Sequence, residues 1–388
     1  MKLAYLSQGH LFLLDQSGNP KPIESEYGRE VVQRSLNRQN RNKWKTEGEG
    51  ALFNRGSLWG VSREDPTAMR VAITAVTKGS NQGQLFYALD TITVGGLFSY
   101  DVESGKENRL FHRENLHIGD LCQSSDHETL ACSQQLPNGT AQIGICRKSD
   151  VEVVTEGDSL DKAPSWVPGS RKQLVFQSAG IARNANGYPV GLGPVSIQKL
   201  DLESGQMTSL KEEGEYDFLS PKVDKEGYLI FIRRPYEKPG AGGYPLSKLL
   251  LDGLLFPFRL ARALFHYLNF FSLIYSKKPL TTASGPKTEG PDQRTLLLQG
   301  KIIDAEKAMR EGTKEEGITS LVPSSWQLIK RDSAGNETVL AKAIVSFDID
   351  ADGNVVYSNG NAIYRIDGSG QPELILKANV VESLVVLS

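Results

Sequence analysis

A strand, a short reversal that opens on Asp and closes on Gly, and a second strand recur along this chain. Nothing else in the sequence constrains the fold as tightly. The unit reads HLFLLDQSGNPKPI from His10, GGLFSYDVESGKENRLF from Gly95 and VSIQKLDLESGQMTSL from Val195. It returns as WQLIKRDSAGNETVL from Trp326 and AIYRIDGSGQPELIL from Ala362. The reversals are Asp15–Gly18, Asp101–Gly105, Asp201–Gly205, Asp332–Gly335 and Asp367–Gly370. Asp starts such a turn by accepting hydrogen bonds from the backbone just ahead, and Gly supplies the positive φ at which the chain reverses. A degenerate sixth copy, AQIGICRKSDVEVV, turns at Lys148–Asp150. Repeats at this spacing indicate an architecture of like units.

Each pair is preceded by further strand-like runs. AYLS precedes HLFLLD across Gln8-Gly9, LACS precedes AQIGICR across Pro137-Asn138-Gly139, and VVYS precedes AIYRID across Asn359-Gly360-Asn361. Ahead of these lie VAITAV, HIGDLC and IVSFDI. Four strands per unit and six units predict an all-β, six-bladed β-propeller occupying residues 1–388 as one domain. The last run, SLVVLS at Ser383–Ser388, has no partner of its own. It is expected to supply the inner strand of blade one, closing the ring and removing an open edge.

One segment carries a family likeness. PSWVPGSRKQLVFQS at Pro164–Ser178 resembles the P-x-W-S-P-D-G-x-x-I-x-F-x-S signature of TolB-like, WD-type propeller repeats, with Val167 for Ser and Gly169-Ser170 for Asp-Gly. FLSPKVDKEGYLIFI and VSFDIDADGNVVYS are similar in looser form. The resemblance implies the propeller fold, and a fold does not imply an activity. TolB itself is periplasmic and binds partner proteins.

With strands lettered A to D from the axis outward, A–B and C–D turns share one face, and B–C and D–A connections share the other. The Asp–Gly reversals are C–D turns. The long connections are residues 24–66 between blades one and two, 179–194 between strands B and C of blade four, and 235–324 between strands B and C of blade five. All leave by the B–C face, where loops on a rigid scaffold are placed to carry function.

The 235–324 insertion contains LSKLLLDGLLFPFRLARALFHYLNFFSLIYSKKPL, Leu246–Leu280, with seven aromatics from Phe256 to Tyr275. Phe256, Phe258, Phe265, Phe270 and Phe271 are among them. Asp252, Arg259, Arg262, His266 and Asn269 fall at helical spacing, which predicts an amphipathic helix with one polar stripe. Two arginines near its middle argue against a transmembrane span. A helix in the membrane interface fits, with Arg259, Arg262, Lys277 and Lys278 at the headgroups. Packing against a partner protein or against the propeller itself would also cover this surface. Residues 28–45 predict a second helix on the same face, with Arg34, Arg38, Arg41 and Lys45 along one side. It reads either as a solvated charged helix or as a basic patch facing anionic lipid.

A rim of polar residues is expected near the axial opening of that face. The D–A segment TEGDSLDKAPSW offers Glu156, Asp158, Asp161 and Lys162, and the strand-B exits offer Gln177, Arg183, Asn184, Arg233, Arg234 and Tyr236. Acids opposed by arginines grip a peptide terminus, a sugar or a phosphate, or else lock the blades together. No nucleophile motif is evident, and the five His form no H-x-x-x-H pair. DIDADG at Asp348–Gly353 resembles a calcium loop, but Asn359 stands where the loop's closing Glu belongs. No metal, cofactor or catalytic residue is therefore assigned.

Lys+Arg is 44 against Asp+Glu 46, so overall charge gives no reason to expect a nucleic-acid partner. Cys122, Cys132 and Cys146 form no C-x-x-C pair, and the first residues read as a hairpin rather than a leader. These features predict a cytoplasmic protein, peripheral on the inner face of the membrane, that scaffolds a partner. An enzyme acting on a sugar or peptide, a hydrolase or lyase at the axial opening, is the alternative. The oligomeric state is open.

Overall fold

The computed structural model describes residues 1–15, 18–42, 71–91, 94–147, 149–238, 295–304, 312–315, 317–368 and 370–387. The aromatic segment 246–280, with Phe256, Phe258, Arg259, Arg262, Phe265, Phe270, Phe271, Lys277 and Lys278, lies outside the described residues, as does Lys45.

The strands fall into antiparallel groups of four, each strand bonded to the next. Sheet one takes Val381–Val386 as strand A, then Leu3–Ser7, His10–Leu14 and Pro20–Ile23. Sheet two is Ala72–Lys78, Gln84–Asp90, Val94–Asp101 and Glu107–Glu114. Sheet three is His117–Gln123, Leu130–Gln135, Ala141–Arg147 and Asp150–Val153. Sheet four is Ser159–Trp166, Gln173–Arg183, Ser196–Asp201 and Met207–Lys211. Sheet five is Tyr216–Val223, Leu229–Pro235, Gln327–Arg331 and Glu337–Lys342. Sheet six is Ser346–Ile349, Val355–Ser358, Ala362–Ile366 and Pro372–Lys377. A parallel bridge from Ala141 to Leu160 links sheets three and four.

The core lies in layers between consecutive sheets, because each sheet turns apolar residues to both sides. Leu11 and Leu13 of sheet one pack with Leu85, Tyr87 and Phe98 of sheet two. Phe86 and Leu97 meet Ile118 and Leu130 of sheet three. Ile145 meets Trp166 and Phe176, Ile197 meets Phe218 and Phe231, and Ile230 meets Tyr357 and Tyr364. Val356 and Ile363 of sheet six then pack on Leu3, Tyr5 and Leu384 of sheet one. Each fully buried side chain of this size contributes roughly 1.5–3 kcal/mol.

The Asp–Gly reversals form as expected. The amides of Gly105 and Gly205 donate to the carbonyls of Asp101 and Asp201, both at 2.9 Å. Gly205 has φ +69, a conformation that L side chains adopt at a cost. The Asp201 carboxylate accepts from the amides of Glu203 and Ser204 and from Gln173 Nε2. These bonds, the Ser204 amide first, hold its carboxyl down at about 2. Asp350, in the DIDADG stretch, caps its own turn, accepting from the amides of Asp352 and Asn354, and pairs with Arg365. Asp348 turns elsewhere, to Lys222 Nζ and the Val386 amide.

Three expectations are corrected in detail. TEGDSLDKAPSW is not wholly a connection: strand A of sheet four begins at Ser159, so Asp161 and Lys162 are strand residues. A bulge between Lys162 and Ser165, with Ala163 at φ +49, breaks the alternation that would have revealed the strand. The basic helix begins at Glu26, two residues before the expected start at 28, and is described as far as Asn42. Ser25 caps it, its Oγ accepting from the Gly28 amide at 3.1 Å. Residues 179–194, expected wholly as a connection between strands B and C, begin as a continuation of strand B to Arg183 and return as Pro189–Leu192. Within 235–324, the hairpin of Thr295–Leu298 with Lys301–Asp304 is described, and so is the short pair Lys314–Glu315 with Ile318–Thr319.

Candidate functional site

The B–C face gathers the irregular parts of the molecule. The helix Glu26–Asn42 rises between sheets one and two and is anchored by Glu107 of sheet two. The amides of Glu26 and Tyr27 donate to the two oxygens of Glu107, and Tyr87 Oη donates to Oε2 at 2.6 Å. A carboxylate at a helix N-terminus satisfies open amides and opposes the dipole. Gly28 permits the approach to Val71, whose Cγ1 lies 2.7 Å from where a Cβ would stand. Beyond this anchor Arg29 and Arg34 are exposed, and Arg34 pairs with Glu30 at 2.7 Å. Arg38 and Arg41 occupy its C-terminal half.

The polar residues expected at the axial rim divide into separate inter-strand locks. Arg183 and Asp158 form a forked pair: Nε donates to both carboxylate oxygens at 2.9 and 2.7 Å, and Nη2 donates to Oδ1 at 2.7 Å. Nη2 also reaches the Asn138 carbonyl of sheet three, and Nη1 reaches Gly187. The guanidinium holds the Asp158 carboxyl below its usual range. Asp161 is buried and accepts from Ser178 Oγ at 2.6 Å. Gln177 Oε1 accepts the Ser220 amide of sheet five at 2.7 Å. Asn184 Oδ1 closes its own turn by accepting from the amides of Asn186 and Tyr188. Glu156 and Lys162 are exposed.

Arg233 and Arg234 point to opposite sides of sheet five, as neighbours on a strand must. Arg233 reaches along its sheet to Gln327 at 2.8 Å and Glu337 at 3.1 Å, with its guanidinium over Tyr216. Glu337 also holds Lys211 of sheet four. Arg234 is only 5% exposed; it pairs with Asp217 at 2.9 Å, donates to the Gln299 carbonyl and lies over Trp326. Burial pushes its pKa below the ordinary arginine value, and Asp217 opposes that shift. The Gln299 contact clamps the returning end of the 235–324 insertion to its root. Lys301 adds a bond to the Pro235 carbonyl. Tyr236 Oη donates to the Leu192 carbonyl at 2.6 Å, joining sheet five to the Pro189–Leu192 strand.

Asp217, Glu337 and Asp90 were not singled out from sequence. Asp90 ends strand B of sheet two, and its Oδ2 lies 2.6 Å from Nδ1 of His117, which begins strand A of sheet three. No local motif joins residues that meet only through sheet packing. Among the described residues no group of three or more His, Cys, Asp or Glu is placed to hold a metal ion. On the opposite face, Trp166, Ile145 and Leu202 line a cavity of about 260 Å³ rimmed by Arg147, Arg171 and Lys172. Each of those cations is paired with a carboxylate. Among the described residues no helix is long and apolar enough to cross a membrane.

No protein-family model matches the chain, and no curated protein matches it by sequence. Solved structures do resemble it. A chain of the nidogen/laminin complex aligns over 99% of this chain and 97% of its own, at 6% identity and TM-score 0.50. TolB from Acinetobacter baumannii aligns over 99% of this chain and 65% of its own, at 11% identity and TM-score 0.48. A puromycin-hydrolysing peptidase from Mycobacterium tuberculosis aligns over 96% of this chain and 41% of its own, at 13% identity and TM-score 0.43. The chain thus spans under two thirds of the TolB and peptidase chains. At these identities the likeness is one of fold. With the strand order described above, the nidogen/laminin likeness defines an all-β protein of β-propeller type.

Proposed function

We propose that this protein is a non-catalytic β-propeller that attaches peripherally to an anionic membrane by its B–C face and carries a protein partner there. The ring in this reading has six blades, and Val381–Val386 completes the first. One observation carries the proposal: the basic helix and both ends of the aromatic 239–294 excursion leave from the same face. The helix Glu26–Asn42 holds four Arg against two Glu, and the excursion holds the seven aromatics of Phe256–Tyr275. Arginines at headgroup level and aromatics at the acyl boundary are the two parts of an interfacial anchor. Each basic residue near an anionic surface adds about 1 kcal/mol, screened by salt. Attachment from the cytoplasmic side, where anionic lipid is concentrated, is part of the same proposal.

The enzyme reading has less support. Asp158, Asp161, Arg183, Arg233 and Arg234 each spend their polar groups on neighbouring strands, which leaves little to grip a substrate. Flotation of the intact chain with vesicles of phosphatidylserine and phosphatidylcholine tests the proposal. Binding should weaken with salt without vanishing, and Phe265→Ser, Phe270→Ser and Phe271→Ser together should abolish flotation at an unchanged melting temperature. A wild type that never floats sinks the membrane proposal.

A further inference from the structure

Strand B of sheet four is the longest strand described, Gln173–Arg183, and its distal end carries a feature with no role in the core. It turns through Asn184–Gly187 and comes back as Pro189–Leu192, which pairs with Ile181–Arg183 and, among the described residues, with no other strand. Along the returning strand burial alternates, as a pleat requires. Tyr188, Val190 and Leu192 are 51%, 40% and 44% exposed, and they form one apolar row on the B–C face. Asn184 through Val195 contains no charged residue. The neighbouring Arg183 is neutralised by its fork with Asp158.

The ribbon is held at both ends. Arg183 grips the turn through the Gly187 carbonyl at 3.0 Å, and Tyr236 holds the base through the Leu192 carbonyl. Little conformational entropy therefore remains to be lost when the row is covered. The outer edge offers few peptide groups to an added strand. Tyr236 occupies the Leu192 carbonyl, and both peptide groups of Tyr188 are spent in the turn, its amide on Asn184 Oδ1 and its carbonyl on the Asn184 amide. Strand addition depends on a row of such groups. An apolar, charge-free tip on a stiff base suits a lipid interface instead, since nothing charged has to be desolvated. The few open peptide groups keep water at headgroup depth, which limits the tip to the interface.

We propose that the Tyr188–Val190–Leu192 row is a second membrane-insertion element, entering the interface of an anionic bilayer. The inference rests on the membrane reading above and adds a residue-level contact to it. The variant Tyr188→Ser, Val190→Ser, Leu192→Ser should partition onto phosphatidylserine–phosphatidylcholine vesicles about tenfold more weakly than wild type. Its melting temperature should change little, because about half of each side chain in the row is already exposed. The single variant Tyr188→Ser should show a smaller loss in the same assay, and it serves as the readout if the triple variant folds poorly. Wild type that floats while both variants float equally well overturns this inference and leaves the membrane reading standing. Wild type that does not float overturns both. A wild-type dimer that the triple variant dissociates would assign the row to a second copy and also overturn the inference.

Discussion

On one face the chain reverses in short Asp–Gly turns whose carboxylates, amides and positive-φ glycines satisfy one another within five residues. On the other it leaves in a helix, a projecting ribbon and the connection from Lys238 to Thr295, pinned at their roots by long-range hydrogen bonds. The Asp–Gly turns spend their polar groups locally. The opposite face spends its polar groups on anchoring, and beyond the anchors the helix exposes Arg29 and Arg34 and the ribbon exposes Tyr188, Val190 and Leu192. A face with anchored supports and exposed side chains beyond them is suited to meeting something else.

The largest effect expected from breaking this division comes from its shared foundation. Deleting residues 381–388 removes Val381, Leu384 and Val386 from the layer around Leu3 and Tyr5. At about 1.5–3 kcal/mol for each buried side chain, the loss approaches the roughly 5–15 kcal/mol that stabilises a whole domain. The truncated chain should show no cooperative melt near the wild-type temperature by calorimetry.

Next come the two ion pairs of the excursion face. Arg234→Ala strands Asp217 in a buried site and should cost about 3–5 kcal/mol in urea unfolding. Arg183→Ala breaks a more exposed pair of the same chemistry, screened by solvent, and should cost less than Arg234→Ala. Equal costs would mean that burial does not separate the two. On the turn face, Gly205→Ala should cost about 1–2 kcal/mol, the strain of an L residue at positive φ. The smallest effect is electrostatic. The Asp201 carboxyl titrates at about 2 in the folded chain. Its folded value lies below its unfolded one, so its contribution is present above the unfolded pKa and is lost as pH falls through the folded pKa. Asp201→Asn should flatten the acid limb of the stability profile, read by circular dichroism from about pH 4 to about pH 2.

The turn face was legible because its determinants are local. Asp and Gly within five residues state the conformation, and apolar runs on either side state the strands. The excursion face was legible in position and not in pairing. Counting back from the Lys225–Gly227 turn without interruption sets Arg234 opposite Phe218. The bulge between Leu219 and Lys222 shifts the register by one and sets it opposite Asp217. A bulge of this kind leaves no mark in composition, so nothing in the sequence marks Asp217 as the partner of Arg234. Strand A of sheet four disappeared for the same reason, since Ala163 and Pro164 interrupt its alternation at another bulge. His117 and Asp90 lie on successive sheets, and only the stacking of sheets two and three brings them within hydrogen-bonding reach.

Hydrogen exchange of the intact chain with and without phosphatidylserine–phosphatidylcholine vesicles tests the account most directly, because it reads both faces at once. The account predicts that vesicles slow exchange in 26–42 and 180–192 and leave the turns at 101–105, 201–205 and 332–335 unchanged. Slowing at those turns, with none in the helix or the ribbon, would contradict it.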